Sequence, residues 1–310
     1  MDQAEQLRNI VKQNRQINVP MSATVNVGGN NPQSQKCARI ITVTSGKGGV
    51  GKSNVSINLA VQLKRSGNRV IIFDADFGLA NIEVMFGAIP KYNLADMIYQ
   101  GKSITDIITN GPMDIGFISG GSGISGLSNL NKVHIEYLLK NLSALDYMAD
   151  YIIIDTGAGI SDSVVEFLVS SDDILLVTTP EPASITDSYS LLKALYRHSK
   201  FNGERTRVRM ISNKVDNLAE GQSLYEKLNV VVSRYLKSIR LEYLGAIPFD
   251  NALSKAVMSQ TPVSLQSPMA KSSKAFEELS IKLAGDNYNN GNDIKRGMTG
   301  FFANFISRRR

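Results

Sequence analysis

A glycine-rich segment between an apolar run and a helical pattern constrains this chain more than any other feature. Residues 46–53 are Gly-Lys-Gly-Gly-Val-Gly-Lys-Ser, which fits the phosphate-loop pattern GxxxxGK[ST]. A β-branched run at 40–44 precedes the segment, and a helical pattern at 54–60 follows it. The motif needs this order of strand, loop and helix, because glycines let backbone amides face a phosphate at a helix N-terminus. The sequence therefore predicts a nucleoside triphosphate site.

Each part of this loop has a predicted role at the nucleotide. Lys52 would contact the β- and γ-phosphates, and the Ser53 hydroxyl would ligate Mg²⁺. Backbone amides of the loop would surround the phosphates. The residues predicted to bind nucleotide here are Gly46, Lys47, Gly48, Gly49, Val50, Gly51, Lys52, Ser53 and Asn54.

Carboxylates follow two of the predicted strands. Asp74 and Asp76 close the second strand, and two residues apart on a strand they face the same side. Because the C-terminal ends of parallel strands form the ligand crevice, one carboxylate is expected to help hold Mg²⁺ and the other to orient the attacking water. Asp155 ends the apolar run at 152–154 and is predicted to lie in the shell of the metal, as a Walker-B carboxylate does.

Two positions are candidates for contact with the base. Asn213 follows a predicted strand, and its amide can donate to and accept from a purine edge at once. The run at 213–216 also resembles the guanine-binding pattern NKxD, so the residues alone do not choose between adenine and guanine. The turn at 247–250, which contains Pro248, could close over the base, although a structural turn fits equally well.

From residue 38 onward, short β-branched runs alternate with helical patterns. Strands that are apolar on both faces and separated by helices predict an α/β domain, with a mostly parallel sheet covered by helices on both faces. Strands are predicted near 39–44, 69–74, 114–118, 151–155, 174–178, 207–212 and 242–246. Helices are predicted near 52–66, 131–146, 162–170, 185–199, 219–238 and 268–284.

Composition limits the possible compartments and clusters. The chain has 310 residues, a formal net charge of +6 and one cysteine, Cys37, which excludes internal disulfides and Cys-based clusters. A reducing cytoplasm is the expected compartment. No stretch approaches the roughly 18 apolar residues that span a bilayer.

The predicted division is an N-terminal helix at 1–17, a linker at 18–37, the nucleotide domain at 38–284, a linker at 285–297 and a terminal helix at 298–310.

Lys47, just after the first glycine of the loop, and the runs at 74–78 and 155–159 together resemble the MinD/ParA class of deviant Walker-A ATPases. The resemblance covers about 38–284. It implies a P-loop NTPase that uses ATP and Mg²⁺ and forms an ATP-dependent homodimer, in which Lys47 reaches the phosphates of the partner.

The same resemblance assigns roles within the site. It implies that Asp76 polarises the attacking water, that Asp155 is the carboxylate of the second switch, and that Asn213 contacts adenine. Asp74 remains the candidate for holding Mg²⁺ together with Ser53 and Asp155. The nitrogenase-reductase members of the class use cluster cysteines, and this chain lacks them.

The C-terminal segment predicts a helix in a membrane interface. A polar segment at 285–297 precedes it and three arginines at 308–310 end it, so docking on the core is the less favoured alternative. Two copies on a dimer would hold the lipid better than one, and ATP would then place the protein reversibly at the inner face of the cell membrane. The residues predicted to contact lipid recur at helical spacing and are Met298, Phe301, Phe302, Phe305 and Ile306.

Residues 2–8, Asp-Gln-Ala-Glu-Gln-Leu-Arg, resemble the DQAxxLR motif of the flagellar FlhG branch of the class. That resemblance implies a helix that stimulates the GTPase FlhF through Gln3, Leu7 and Arg8, and contacts with flagellar switch-complex proteins. An ordinary amphipathic helix is the alternative for this segment.

The predicted function is therefore an ATPase that regulates flagellar number and placement. Two alternatives remain from the sequence. A partition ATPase would bind DNA, for which the charge of +6 gives mild support; DNA is not expected as a partner in the flagellar interpretation. A MinD regulator of the division site is the other.

Overall fold

The computed structural model describes residues 37–76, 81–120, 132–285 and 297–306. The predicted helix at 1–17, with Gln3, Leu7 and Arg8, lies outside these ranges, as do residues 18–36 and 286–296 of the two predicted linkers. Among the described helices, none combines the length and the hydrophobicity that crossing a bilayer requires.

The described residues form one sheet of eight strands. The strands are β1 (Arg39–Thr44), β2 (Val70–Ala75), β3 (Thr109–Asn110), β4 (Gly116–Ser119), β5 (Tyr151–Thr156), β6 (Asp173–Thr178), β7 (Arg207–Val215) and β8 (Leu241–Pro248). Their spatial order is β3-β4-β2-β5-β1-β6-β7-β8, and each neighbouring pair is parallel except β3 with β4. Each predicted strand is present. The two-residue β3, which lacks an apolar run of its own, is the addition.

Helices cover both faces of this sheet and fill most of the connections. They are α1 (Lys52–Arg65), α2 (Asn81–Phe86), α3 (Leu94–Gln100), α4 (Ile104–Ile107), α5 (Lys132–Ser143), α6 (Leu145–Met148), α7 (Asp162–Ser170), α8 (Pro182–Arg197), α9 (Leu218–Tyr235), α10 (Asn251–Met258), α11 (Val263–Gln266), α12 (Lys271–Gly285) and α13 (Gly297–Ile306). The predicted α/β architecture is confirmed.

The helices that sequence reasoning missed are short. Helices α2, α3, α4, α10 and α11 each have four to eight residues, too few for a helical period to stand out. Local capping signals were available for three of them, including Asp250 at the start of α10. Asn93 and Asp96 form a capping box at the start of α3, and Ser103 and Asp106 form another at α4.

A buried cluster of charges fixes the end of the sheet opposite the carboxyl ends of the parallel strands. Arg39 of β1 donates to Asp173 of β6 at 2.7 Å, and the Arg209 Nε of β7 donates to the same carboxylate at 3.1 Å. All three side chains are almost fully buried. Breaking such a group by removing one partner costs about 3–5 kcal/mol. The cluster therefore holds β1, β6 and β7 in register, and the other ends of these strands carry the candidate site.

The C-terminal helix α13 packs on the domain, and the prediction that it stands apart from the domain is wrong for this structure. Met298, Phe301 and Phe302 are at most 3% exposed and belong to the core on one face of the sheet. The ring of Phe302 contacts Phe73 of β2, with centroids 5.7 Å apart. The ring of Phe301 contacts Phe167 of α7, with centroids 5.9 Å apart. The side chains of Phe305 and Ile306 lie outside what the structure describes.

Two local features seat the start of α13. The Met298 amide donates to Asp146 Oδ1 at 2.7 Å, which satisfies one of the unpaired amides of the first turn. A Cβ at Gly297 would lie 2.4 Å from the same carboxylate, and the φ of Gly297 is 78°, so glycine is required there. The sequence prediction failed because helical spacing defines an apolar face but does not show whether lipid or protein covers it.

Candidate nucleotide site

The glycine-rich loop joins β1 to α1 at the carboxyl edge of the sheet. Lys52 is the first residue of α1, and Gly51 precedes it with a φ of 97°. Gly49 has a φ of 77°, so two positions of the loop adopt the left-handed backbone that glycine allows. The predicted phosphate loop therefore has the strand, loop and helix context that its sequence requires.

Gly46 is required for a different reason, the close approach of α8. A Cβ at Gly46 would lie 2.1 Å from the carbonyl carbon of Asp187 and 2.5 Å from the amide nitrogen of Ser188, both backbone atoms of α8. At Gly48 the nearest heavy atom to such a Cβ is the Ala158 Cβ at 3.9 Å, an ordinary contact. The loop is thus packed against α8 at Gly46 and has room for a Cβ at Gly48.

Substitution of these two glycines by alanine should separate packing from flexibility. We expect Gly46→Ala to cost about 3 kcal/mol through overpacking against α8, and so to lower the melting temperature of the nucleotide-free protein by about 6–12 °C. Gly48→Ala, the matched control, should change it by no more than about 2 °C. Circular dichroism melts of both variants provide the measurement, and equal melting temperatures would contradict the packing seen at Gly46.

Lys52 lies inside the site. Its side chain is buried at the start of α1, and only 8% of the residue is exposed. Burial lowers the pKa of the Lys52 ammonium, an effect that the nearby carboxylates of Asp155 and Asp76 oppose. A buried cation at the start of α1, beside two carboxylates, can contact phosphate oxygens.

Two buried aspartates lie side by side on adjacent strands. Asp74 of β2 is the register partner of Asp155 of β5, and both are at most 2% exposed. Burial, together with the charge of Asp155, raises the pKa of Asp74 to about 8, although the amides of Asp76 and Ile82 donate to its carboxylate. Burial also raises the pKa of Asp155 to about 6. This arrangement favours a cation near both groups.

The oxygens around Asp155 fit a magnesium ion. Asp155 Oδ1 accepts a hydrogen bond from Ser56 Oγ at 2.9 Å, whereas the fully buried Oδ2 has no hydrogen-bond partner among the described residues. The Ser53 hydroxyl interacts with the same carboxylate. Hydroxyl and carboxylate oxygens are the ligands that Mg²⁺ prefers. In the described part of the chain no three His, Cys, Asp or Glu residues group as metal ligands, so phosphates and water would complete the shell.

Asp76 lies one residue beyond β2 and is only partly buried. Its Oδ2 accepts from Asn81 Nδ2 at 3.4 Å, and its Oδ1 lies 3.6 Å from where a Cβ on Gly157 would be. The carboxylate therefore borders the loop that follows Asp155. The role of Asp76 in orienting a water at the phosphates stays a prediction.

Lys47 is more exposed than Lys52. Its side chain is 36% exposed, and its Nζ lies 2.5 Å from Oε2 of Glu181, the residue just before α8. Sequence reasoning missed Glu181. The available signal was its place three residues after β6, at the same carboxyl edge as the other carboxylates.

Asn213, one of the two residues predicted to contact the base, contacts the loop in this structure. Asn213 Nδ2 donates to the Val50 carbonyl at 2.7 Å, and Asn213 Oδ1 accepts from the Lys214 amide. Lys214 Nζ donates to the Gly49 carbonyl at 2.9 Å, and the φ of Lys214 is 58°, a strained value for a side chain of this size. Pro248 ends β8 beside Val215. The base-contacting roles of Asn213 and Pro248 stay predictions, and the contact of Lys214 with the loop was missed.

Comparison with known proteins assigns the class. The family model described as "ParA: NUBPL iron-transfer P-loop NTPase" matches residues 36–284. The chain belongs to this ParA family of P-loop NTPases, in the MinD/ParA class of deviant Walker-A proteins. The solved MinD of Pyrococcus horikoshii in complex with Mg-ADP has the same fold, with a TM-score of 0.61 and 23% identity over 80% of this chain and 98% of that one.

Two curated relatives place the chain more narrowly. The antiactivator FleN of Pseudomonas aeruginosa is 40% identical over 245 residues, covering 79% of this chain and 86% of FleN. The flagellum site-determining protein YlxH of Helicobacter pylori is 35% identical over 276 residues, covering 86% and 90%. The predicted resemblance to the flagellar branch of the class is confirmed at the level of sequence.

Proposed function

We propose that this protein is an ATPase that dimerises on ATP, binds the cytoplasmic membrane reversibly and regulates flagellar number and placement. The observation that carries the proposal is the opposite placement of two lysines of one loop. Lys52 is buried at its own phosphate site, whereas Lys47 is partly exposed at the mouth of the loop. A lysine that faces outward beside a phosphate site is available to a nucleotide on a second subunit.

The chemistry follows from the arrangement of side chains. Backbone amides of the loop and Lys52 would bind the β- and γ-phosphates, and Ser53 with Asp155 and Asp74 would hold Mg²⁺. When bound, Mg²⁺ supplies charge neutralisation at the phosphates. Asp76 would orient the attacking water, and Lys47 of the second subunit would add positive charge where negative charge develops. Both subunits are then required for efficient hydrolysis.

The docked helix α13 supports a membrane switch. Met298, Phe301 and Phe302 are covered in this structure, so their binding to lipid requires α13 to leave the domain. The surface that covers it is adjacent to the nucleotide site in sequence. Phe73 immediately precedes Asp74, and Phe167 lies on α7, which follows the loop after Asp155. A shift of β2 or α7 on ATP binding would therefore weaken the contacts of α13 and expose it to lipid.

The flagellar assignment rests on the two relatives and on the motif at 2–8. FleN is named an antiactivator and YlxH a flagellum site-determining protein. We extend their role to this chain, with the GTPase FlhF and the flagellar switch-complex proteins as partners. The N-terminal motif is the segment proposed to stimulate FlhF, through Gln3, Leu7 and Arg8.

The motif offers its own matched control for a test of this role. Full-length protein should raise the GTP hydrolysis rate of FlhF, and Gln3→Ala should remove most of that increase, because an amide that helps position water is lost. Gln6→Ala, a change of the same kind at a variable position of the motif, should leave the increase unchanged. If Gln3→Ala stimulates FlhF as the wild type does, the role of Gln3 is wrong. If the wild-type protein gives no stimulation, the proposed partner is wrong, whereas the ATPase assignment is unaffected in both cases.

A further inference from the structure

Glu181 is the partner that Lys47 has in the structure described here. The Lys47 ammonium lies 2.5 Å from Glu181 Oε2, and the side chains are 36% and 56% exposed. The two residues are on elements that are fixed to each other, since Glu181 precedes α8 and the backbone of α8 packs directly on Gly46. The contact is therefore a feature of how the loop and α8 pack, and both side chains can be reached from solvent.

The surroundings of Glu181 are cationic. Lys214 Nζ donates to the Gly49 carbonyl at 2.9 Å, which places a second ammonium at the mouth of the loop. The hydrogen bond and charge of Lys47 lower the pKa of Glu181, and the charge of Lys214 acts in the same direction. The carboxylate is thus an anion held by one lysine of the phosphate loop, with the ammonium of Lys214 nearby. Its oxygens offer Lys47 the same chemistry that phosphate oxygens would offer.

We propose that Glu181 is a positioning residue that holds Lys47 in its own subunit and must release it before Lys47 can reach the nucleotide of a second subunit. This inference rests on the proposed function, in which Lys47 acts across the dimer. Glu181 then sets how much ATP is needed for dimerisation. It competes with the phosphates for one lysine and takes no part in hydrolysis itself.

The exposure of the pair sets the size of the effect. Ion pairs between exposed side chains are weak, because water and salt compete for both partners. A contact of this strength can be exchanged for a phosphate contact in every cycle, whereas a buried pair would lock Lys47. We therefore expect removal of the carboxylate to change the ATP concentration at half-maximal dimerisation by about two- to fivefold.

The experiment uses the full-length protein and Glu181→Gln, which keeps the size of the side chain and removes its charge. Light scattering after size-exclusion chromatography gives the dimer fraction as Mg-ATP is increased. Glu181→Gln should reach half-maximal dimer at about two- to fivefold less ATP than the wild type, and the difference should shrink at high salt. Glu204→Gln, an exposed residue in the loop after α8, removes the same charge elsewhere and should behave as the wild type.

The affinity for Mg-ADP shows whether Glu181→Gln acts by releasing Lys47 or only by changing the charge near the site. The affinity for ADP should be nearly the same in Glu181→Gln and the wild type, because ADP lacks the γ-phosphate that would draw Lys47 across. Equal shifts for ADP affinity and dimerisation would overturn the inference, and so would a Glu181→Gln variant that dimerises like the wild type or more weakly.

Lys47→Ala distinguishes failure of the proposed dimer from failure of the role proposed for Glu181. If Lys47→Ala dimerises as the wild type does, Lys47 does not act across subunits and the proposed dimer itself is wrong. If Lys47→Ala is monomeric but Glu181→Gln is unchanged, only the role of Glu181 is overturned. With both substitutions combined, the loss of Glu181 should give no recovery of the dimer, since the group that it holds is absent.

Discussion

Lys52→Ala should weaken nucleotide binding by at least about 100-fold. The ammonium is buried at the start of α1, between the loop amides and the carboxylates of Asp155 and Asp76, so no other side chain on that element can replace its charge. Loss of a charge-assisted contact to phosphate in a buried site corresponds to at least about a 100-fold loss of affinity. Isothermal titration with Mg-ATP measures this directly.

Two further variants of the same site should behave differently from Lys52→Ala. Lys47→Ala should bind ATP within about threefold of the wild type and fail to dimerise, because its side chain faces outward. Asp76→Ala should bind ATP and dimerise but hydrolyse it at least about 100-fold more slowly, since water at the phosphates is no longer oriented. If Lys52→Ala still binds ATP tightly, or if Asp76→Ala hydrolyses at the wild-type rate, the assigned roles are wrong.

Asp146→Ala should raise membrane binding in the absence of nucleotide by about 5- to 30-fold. Asp146 accepts a hydrogen bond from the Met298 amide at 2.7 Å and is almost fully buried against α13. Loss of such a cap costs about 1–2 kcal/mol, which corresponds to a 5- to 30-fold larger population of released helix. Sedimentation with vesicles of anionic lipid, without nucleotide, should then show about that increase in the bound fraction at low occupancy.

Three further measurements serve as controls for Asp146→Ala: a variant on the other face of the sheet, a double variant, and DNA binding by the wild type. Glu277→Ala removes an exposed carboxylate from α12, which packs on the opposite face, and should sediment as the wild type does. Phe302→Asp combined with Asp146→Ala should not bind vesicles, because the apolar face that would enter the lipid is broken. Retardation of DNA by the wild type with ATP, with no vesicle binding, would instead favour the partition alternative.

Much of the site could be predicted because its signals are local. The loop at 46–53 carries its glycines, lysines and serine within eight residues, and only such a sequence can turn its amides toward a phosphate. Asp155 follows an apolar run whose strand is found at Tyr151–Thr156. The parallel sheet was predictable for a similar reason, since strands buried on both faces have no polar alternation.

Contacts between distant segments could not be predicted in this way. Lys47 and Glu181 are 134 positions apart, and nothing in the periodicity of either segment indicates that they meet. The pairing of Asp74 with Asp155 depends on the register of β2 and β5. That register, which a shift of one residue would break, puts the charge of Asp155 beside Asp74, where it adds to burial in raising the pKa of Asp74.

The sequence by itself determined that this chain is an α/β phosphate-loop protein with a second lysine in the loop, because backbone chemistry allows few other uses of such a segment. Tertiary structure alone decided where the apolar end of the chain lies. The spacing of Met298, Phe301 and Phe302 defines a hydrophobic helix face but does not distinguish lipid from protein as its cover. Only the groove beside Phe73 and Phe167, assembled from segments far apart in the chain, shows that the domain covers that face here.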